Sequence, residues 1–429
     1  MEAYLPVLVL LLTLLLGIPI AVSLAVSGMV GIYVVTGDLN RLMGILSMAP
    51  YSSVADHALS TIPMFILMAY LSASAGLAKD LYAAASSWLS HIRGGLAMGT
   101  VAACGIFGAM SGASVAGASV MSRIAIPEMR RHGYSEELAA GAVGIGATLN
   151  ILIPPSIAMV IYGIATQTSI GKLLIAGVIP GILLGIVLSI TVYLWVLVSP
   201  SHAPKLARVP LRECWASLTR IGPSLLLIIV VLVMLYSGIA TPTEVGAVGA
   251  AMAAIIGWWT GRLSWKDSVE AVKMTIRTSV MIFLILIGAT IFGYYMALSR
   301  IPQHVVAAVT DMDLNRWVVI VGIIVVYFVI SMFMDEIPLL LLTLQVTFPL
   351  IVSLGFDPVW FGVMSMMMMA MGLVFPPVGI VAFVVSATGQ VPLEKVFKGT
   401  SILILAIFAT TVLLMVFPQI ALWLPATMR

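Results

Sequence analysis

"IPPSIAMVIYGIATQT", residues 153–168, lies inside a long apolar run. Adjacent prolines in a membrane helix remove two backbone donors and push the chain out of helical geometry, at about 3 kcal/mol or more. Lipid cannot satisfy the carbonyls so released. Such a break survives only when buried in protein or lining a wet cavity. The same break returns at residues 375–390, "FPPVGIVAFVVSATGQ". Its recurrence decides the architecture.

Shifting the chain by 222 residues superposes more than the prolines. Met110 falls on Met332, Pro127 on Pro349, Gly133 on Gly355, and Pro154 and Pro155 on Pro376 and Pro377. Ala165 and Thr166 fall on Ala387 and Thr388, and Gly177 on Gly399. Chance explains shared Gly and Ala in apolar sequence. It explains less well a proline pair with spaced Pro, Gly and Thr in one register. The chain therefore reads as one unit used twice.

Each half has the same predicted order. The first, residues 1–198, has scaffold spans within 4–76 (about 4–17, 20–36 and 58–76), an amphipathic arm at 77–94, a hairpin at 95–130, a broken span at 136–166 and a closing span at 173–198. A linker follows at 199–221. The second, residues 222–429, repeats this with scaffold spans at 223–298, an arm at 299–316, a hairpin at 317–349, a broken span at 358–388 and a closing span at 400–424.

Composition agrees with the multi-span membrane class. The 429 residues are 62% hydrophobic and 9% charged, with mean hydropathy +1.17, more apolar than a soluble globule requires. The opening apolar stretch has no basic n-region and runs too far for a signal peptide, so it reads as membrane structure. A net charge of +3 gives no reason to expect a nucleic-acid partner. Cys104 and Cys214 read as free thiols.

Lys and Arg favour the cytoplasmic side. Lys205, Arg208, Arg212 and Arg220 place the linker there. The layout then puts most of the remaining basic residues on that side, leaving Arg41, Lys172, Arg300, Arg316 and Arg429 outside. Five crossings per half is an odd number, so the halves have opposite orientations. Inverted repeats with broken helices mark secondary transporters with sites near the midplane.

At each break, freed carbonyls can hold a cation, and the helix N-terminus beyond can hold a carboxylate. A plain kink between packed helices is the alternative. The hairpin tips align under the same shift: "MSGASVAGASV" (110–120) against "MFMDEIPLLLL" (332–342). Ser111, Gly112 and Ser114 bring hydroxyls and exposed backbone. Asp335 and Glu336 stand in an apolar run, where an acid is costly and marks a functional site. Oxygen ligands of this kind suit Na⁺. Small-residue packing competes at the first tip, through Gly108-x-x-x-Gly112. At the second, a shallow carboxylate reaching water is the competing reading.

Catalytic motifs fail. "GASVAG" has Ala116 where a nucleophile elbow needs Gly, and no strand precedes it. "GIGATL" lacks the last Gly of a dinucleotide loop. The five histidines show no zinc spacing, and no phosphate loop is present. The methionine run 365–372 reads as soft packing.

The stretches "GASVAGASVM", "GYSEELAAGAVGIGATLNILIPPSIAMVIYGIAT", "GIATPTEVGAVGA", "MFMDEIPLLLL" and "FGVMSMMMMAMGLVFPPVGIVAFV" resemble the DctM-like large membrane subunit of tripartite ATP-independent periplasmic (TRAP) transporters, over essentially the whole chain. The resemblance implies an all-α polytopic fold of the elevator-type ion-transporter superfamily. It implies two inverted-topology repeats, two re-entrant helical hairpins and two Pro-Pro-broken transmembrane helices, with hairpins and broken spans forming the moving part.

It implies no enzyme, but Na⁺-coupled import of organic acids across a bacterial inner membrane. A periplasmic binding protein delivers the solute, and a separate small four-span subunit enlarges the scaffold. Carried onto matching positions, one Na⁺ site takes Ser111, Gly112, Ser114, Gly146, Asn150 and Pro154. The other takes Asp335, Gly372, Phe375, Pro376 and Thr388. The substrate carboxylate meets Ser114, Asp335, Pro155, Ser156 and Pro377. Two or more Na⁺ per carboxylate make uptake electrogenic. This chain departs from the family pattern at Glu336, where small or hydroxyl residues are usual. A stand-alone carboxylate or anion carrier and a membrane-embedded enzyme are the rival readings.

Overall fold

The computed structural model describes residues 5–428, and the described residues form helices, turns and loops without a strand. The ends of the expected halves, residues 1–4 and Arg429, lie outside them. The first half opens with Leu5–Leu15, Ile20–Thr36 and Leu39–Val54, then a 3-10 turn that runs into Thr61–Ser74. The arm Leu77–Leu89 leads to the paired helices Gly95–Ser111 and Ser114–Arg131. Glu136–Thr148, a short 3-10 turn and Ile157–Thr166 make the broken span, and Ile170–Ala176 and Val178–Val198 close the half.

The second half runs Leu211–Ser237, Pro242–Trp259, Trp265–Ser299, Ile301–Asp311, Arg316–Ser331, Glu336–Ser353, Pro358–Gly372, Ile380–Gly389, Leu393–Val416 and Gln419–Ala426. Ser114–Arg131 and Glu336–Ser353 begin and end 222 residues apart.

Among the described residues, six helices are long and apolar enough to cross a membrane: His57–Ser74, Ile170–Val198, Leu211–Ser237, Trp265–Ser299, Glu336–Ser353 and Leu393–Val416. Ile157–Thr166 and Ile380–Gly389 have ten residues each. At about 1.5 Å per residue each reaches roughly half of a 30 Å hydrocarbon core.

Four features differ from the sequence reading. Leu39–Val54 is a helix where no element was expected. It is short of apolar residues, contains Pro50 and buries only Ala49. The helix Leu211–Ser237 begins inside the expected linker. There Trp215 meets Trp88 edge-on at 5.8 Å, and the Trp88 indole donates to the Cys214 carbonyl at 3.2 Å. Trp265–Ser299 is one continuous helix that starts well before the expected 279–298 span. The last closing span starts at Leu393 and ends at Val416.

Glycine lets the halves pack closely. A Cβ on Gly28 would come within 2.7 Å of the Phe292 backbone nitrogen, so Ile20–Thr36 lies directly on Trp265–Ser299. Likewise a Cβ on Gly141 would reach the Gly399 backbone at 2.7 Å, which seats Leu393–Val416 on Glu136–Thr148. The methionines 366–369 are buried among these helices.

Polar contacts fix how the two broken spans lie. Glu136, opening the first, pairs with Arg130 at 2.8 Å and with Lys395, just beyond the second, at 3.0 Å. Arg130 also donates to the Gln390 carbonyl at 2.7 Å. At the other end, the Tyr162 hydroxyl donates to the carbonyl of Pro358, which opens the second span, at 2.7 Å. The start of each broken span therefore lies beside the end of the other. A double-mutant cycle of Glu136→Gln and Lys395→Met should give a coupling of about 0.2–1 kcal/mol that shrinks with added salt, because the side chains are partly solvated. Thermal unfolding in detergent reads it. A coupling that does not change with salt would contradict the contact.

Candidate functional site

The first tip is two residues long. Gly112 ends Gly95–Ser111 with φ +61°, a left-handed conformation that glycine adopts without strain. Ala113 is extended, and Ser114 starts the next helix. The tip then meets the first break. The Ile157 N–H, first in the helix beyond the prolines, donates to the Gly112 carbonyl at 3.2 Å. A Cβ on Gly112 would overlap the Pro155 carbonyl oxygen. The peptide bond Pro154–Pro155 is cis, and both prolines are buried. Ser156 caps the helix by accepting from the Met159 N–H at 3.3 Å.

Asn150 locks break and tip together. Its Nδ2 donates to Ser111 Oγ at 3.2 Å and to the Ala113 carbonyl at 3.3 Å. The side chain lies where Gly108 and Gly117 leave room, since a Cβ on either would collide with it. Gly108 thus opens space for this amide within its own hairpin, as well as fitting a helix-approach spacing. Asn150 Oδ1 and Ser114 Oγ are buried without a hydrogen-bond partner, and both residues have 0% exposure. Polar atoms so placed are costly unless something else satisfies them.

The second tip repeats the plan with different atoms. Met332 to Asp335 join the two helices. The Gly379 N–H beyond the second proline pair donates to the Met332 carbonyl at 3.0 Å. Gly379 has φ +58° and Pro376–Pro377 is cis. Ser331 Oγ fills the space a side chain would need at Gly372. Carbonyls here are more heavily used: Gly372 accepts from Phe375 N–H at 3.1 Å, Leu373 from Val381 N–H at 2.9 Å, and Val374 from Thr400 Oγ1 at 2.8 Å. Phe375 and Pro376 are half-buried, and Pro377 is exposed. Asp335 Oδ1 and Glu336 Oε2 are buried without partners.

The tips lie close together. The Glu336 carboxyl lies near the backbone of Ser114 and the side chain of Asp335. Four orphaned oxygens, on Ser114, Asn150, Asp335 and Glu336, therefore belong to the two tips and the first break. Acceptor oxygens without donors are what a hard cation needs.

Of the expected first-site residues, Ser111, Gly112, Ser114, Asn150 and Pro154 come together at the tip and break. Gly146 sits lower, packed on Cys104, with its carbonyl accepting from the Leu149 N–H. At the second, Asp335, Gly372, Phe375 and Pro376 belong to tip and break. Thr388 lies in the last turn of Ile380–Gly389, about 12 Å along the helix from Ile380. Ser331, Gly379 and Thr400 were missed. Ser331 and Thr400 align with Ala109 and Val178 under the repeat shift, so the repeat gave no signal for them.

Long apolar helices broken twice at membrane depth place the chain among polytopic membrane proteins. The chain belongs to the family described as "Tripartite ATP-independent periplasmic transporter, DctM component", whose model matches residues 7–420. It is 35% identical over 404 residues to the C4-dicarboxylate TRAP transporter large permease protein DctM of Pseudomonas aeruginosa, covering 94% of this chain and 93% of that one. It is 31% identical over 373 residues to the sialic acid TRAP transporter large permease protein SiaM of Vibrio cholerae, covering 87% of each. The crystal structure of the Alcanivorax borkumensis YdaH transporter, described as having an unusual topology, shares the fold, with a TM-score of 0.61 at 15% identity over 90% of each chain. The protein is an integral transport component of the inner membrane.

Proposed function

We propose that the chain is the large permease of a sodium-coupled importer of organic acids. A periplasmic binding protein delivers the solute, and a small four-span membrane subunit completes the scaffold. The tripartite family description favours delivery over a stand-alone carrier. The observation that carries the sodium reading is the set of four orphaned buried oxygens at the two tips and the first break.

Ser111, Gly112, Ser114, Asn150 and Pro154 would hold one Na⁺, with Gly146 supporting the hairpin from below. Asp335, Gly372, Phe375 and Pro376 would hold the second, while Thr388, at the far end of Ile380–Gly389, stands too far from the break to join them. The substrate carboxylate would meet Ser114, Asp335 and the helix start at Pro155 and Ser156, with Pro377 on the open side.

The antiparallel setting of the broken spans, through Glu136–Lys395 and Tyr162–Pro358, supports inverted repeats. Hairpin helices such as Gly95–Ser111 and Arg316–Ser331, of 17 and 16 residues, support re-entrance, because each barely reaches across the hydrocarbon. Hairpins and broken spans packed as one body support elevator movement against the scaffold. Uptake of radiolabelled succinate and sialic acid into proteoliposomes, with both partners present and with or without a sodium gradient, tests the reading. Accumulation that ignores the gradient would overturn it.

A further inference from the structure

We infer that the start of Trp265–Ser299 is a binding surface for an anionic phospholipid, on the side of the membrane that carries the linker. The inference goes beyond the transport reading and needs only the membrane class established above.

Trp265–Ser299 has 35 residues, about 52 Å of helix against a hydrocarbon core of about 30 Å. Residues 279–299 suffice to cross that core, so the stretch 265–278 is left at the membrane surface. There the side chains sort by face. At about 100° per residue, Trp265, Val269, Val272 and Ile276 form one stripe, and all four are exposed. Lys266, Lys273 and Arg277 follow one edge of that stripe and are exposed as well. Glu270 and Asp267 lie further round, while Ser268, Ala271 and Thr275 are buried against the protein. Bases between an apolar strip and the water side are placed to snorkel. Their stems lie on the apolar surface and their charges reach headgroup level.

These charges have few partners within the chain. Among the described residues no ion pair involves Lys266 or Arg277, and Lys273 meets only Glu270, at 3.9 Å and largely in solvent. Asp267 is engaged in a capping box with Ser264. Trp259, at the end of Pro242–Trp259, is 89% exposed, and the Trp258 indole donates to Ser268 Oγ at 3.1 Å. Exposed Trp beside Lys and Arg is the pattern of an anchor at headgroup level.

Contacts fix the side. Arg262, just before the helix, pairs with Asp80 on the arm Leu77–Leu89, and Trp88 on the same arm meets Trp215. This helix start therefore shares a side with the linker, which the basic residues assign to the cytoplasm, where negative surface potential attracts basic segments. The first half gives the contrast. Under the repeat shift Leu39–Val54 falls on residues 261–276, and its only base is Arg41. The basic edge is thus not a consequence of the helix's place in the fold. An anionic headgroup seated between Lys273 and Arg277, one turn apart, with Lys266 adding to the local potential and acyl chains along the Trp265 stripe, satisfies charge and apolar surface together. A zwitterionic lipid satisfies the stripe alone.

Tryptophan fluorescence of the chain reconstituted in phosphatidylcholine vesicles tests this, with a minor share of phosphatidylglycerol carrying brominated chains as quencher. The emission lost in Trp265→Phe is the reporter. Brominated phosphatidylglycerol should quench it more than the same share of brominated phosphatidylcholine, and added salt should shrink the difference. Each of Lys266→Gln, Lys273→Gln and Arg277→Gln should lower the preference by up to about fivefold, and the triple variant should erase it. Lys205→Gln with Arg208→Gln, in the linker, should leave it unchanged. Equal quenching by the two lipids on the wild type would overturn the inference. So would a preference that survives the triple variant, or one that falls equally in the linker variant. Loss of quenching by both lipids when the small subunit is present would assign this face to that subunit and overturn it too. Sodium-independent uptake would strike the transport reading and leave this surface standing.

Discussion

Replacing Gly112 with valine is expected to abolish sodium-dependent uptake while the protein still inserts and keeps its helix content. Gly112 has φ +61°. A β-branched residue held there costs on the order of 1–3 kcal/mol. Its Cβ would also overlap the Pro155 carbonyl oxygen, so the tip must move away from the break. That movement breaks the 3.2 Å bond from Ile157 N–H to the Gly112 carbonyl, and a buried donor left alone costs about 1–3 kcal/mol more.

Together these terms correspond to a loss of roughly a hundredfold or more. Gly44→Ala is the control, because that helical glycine has open space around its Cβ position. Initial uptake rates in proteoliposomes and circular dichroism would read the two variants. Wild-type transport by Gly112→Val would show that the tip need not touch the break.

Asp335→Asn is expected to weaken sodium dependence most among conservative changes. Removing a full charge from about 4 Å of a cation forfeits roughly 4 kcal/mol at an effective dielectric of 20. Relaxation recovers part of this, leaving a loss of at least about tenfold in apparent sodium affinity. Asn keeps the size and one oxygen, so the helix start should survive. Ser114→Ala removes one neutral oxygen and should cost less, about 1–3 kcal/mol at most. Sodium titrations of uptake distinguish the two. Unchanged curves in both variants would remove these residues from the ion site.

The breaks and tips were legible because a membrane leaves few uses for such residues. Paired prolines, a glycine before an extended residue and an acid among leucines all cost free energy there, so their repetition carried a signal. The helix Leu39–Val54 was not legible: Asn40, Arg41, Pro50 and its serines dilute the apolar pattern. The early start at Leu211 was hidden by Arg212 and Arg220, whose charges read as linker.

The clearance for Asn150 could not be read from spacing, because Gly108 and Gly117 belong to different helices of one hairpin. Only folding brings them to the same side chain. Ser331 and Thr400 act through long-range contacts that the repeat does not copy. Thr388 was reached through the repeat and the family pattern, and the helix carries it away from the break.

The coupling claim is tested most directly by counting ions. Each positive charge crossing 100 mV contributes about 2.3 kcal/mol, so ions that move with the solute must appear as flux and current. The measurement is the ratio of ²²Na⁺ to labelled solute entering proteoliposomes that contain the chain and its two partners, under a clamped membrane potential. Two or more Na⁺ per solute and inward positive current are expected, both reduced in Asp335→Asn. Solute entry with no accompanying Na⁺ would contradict it.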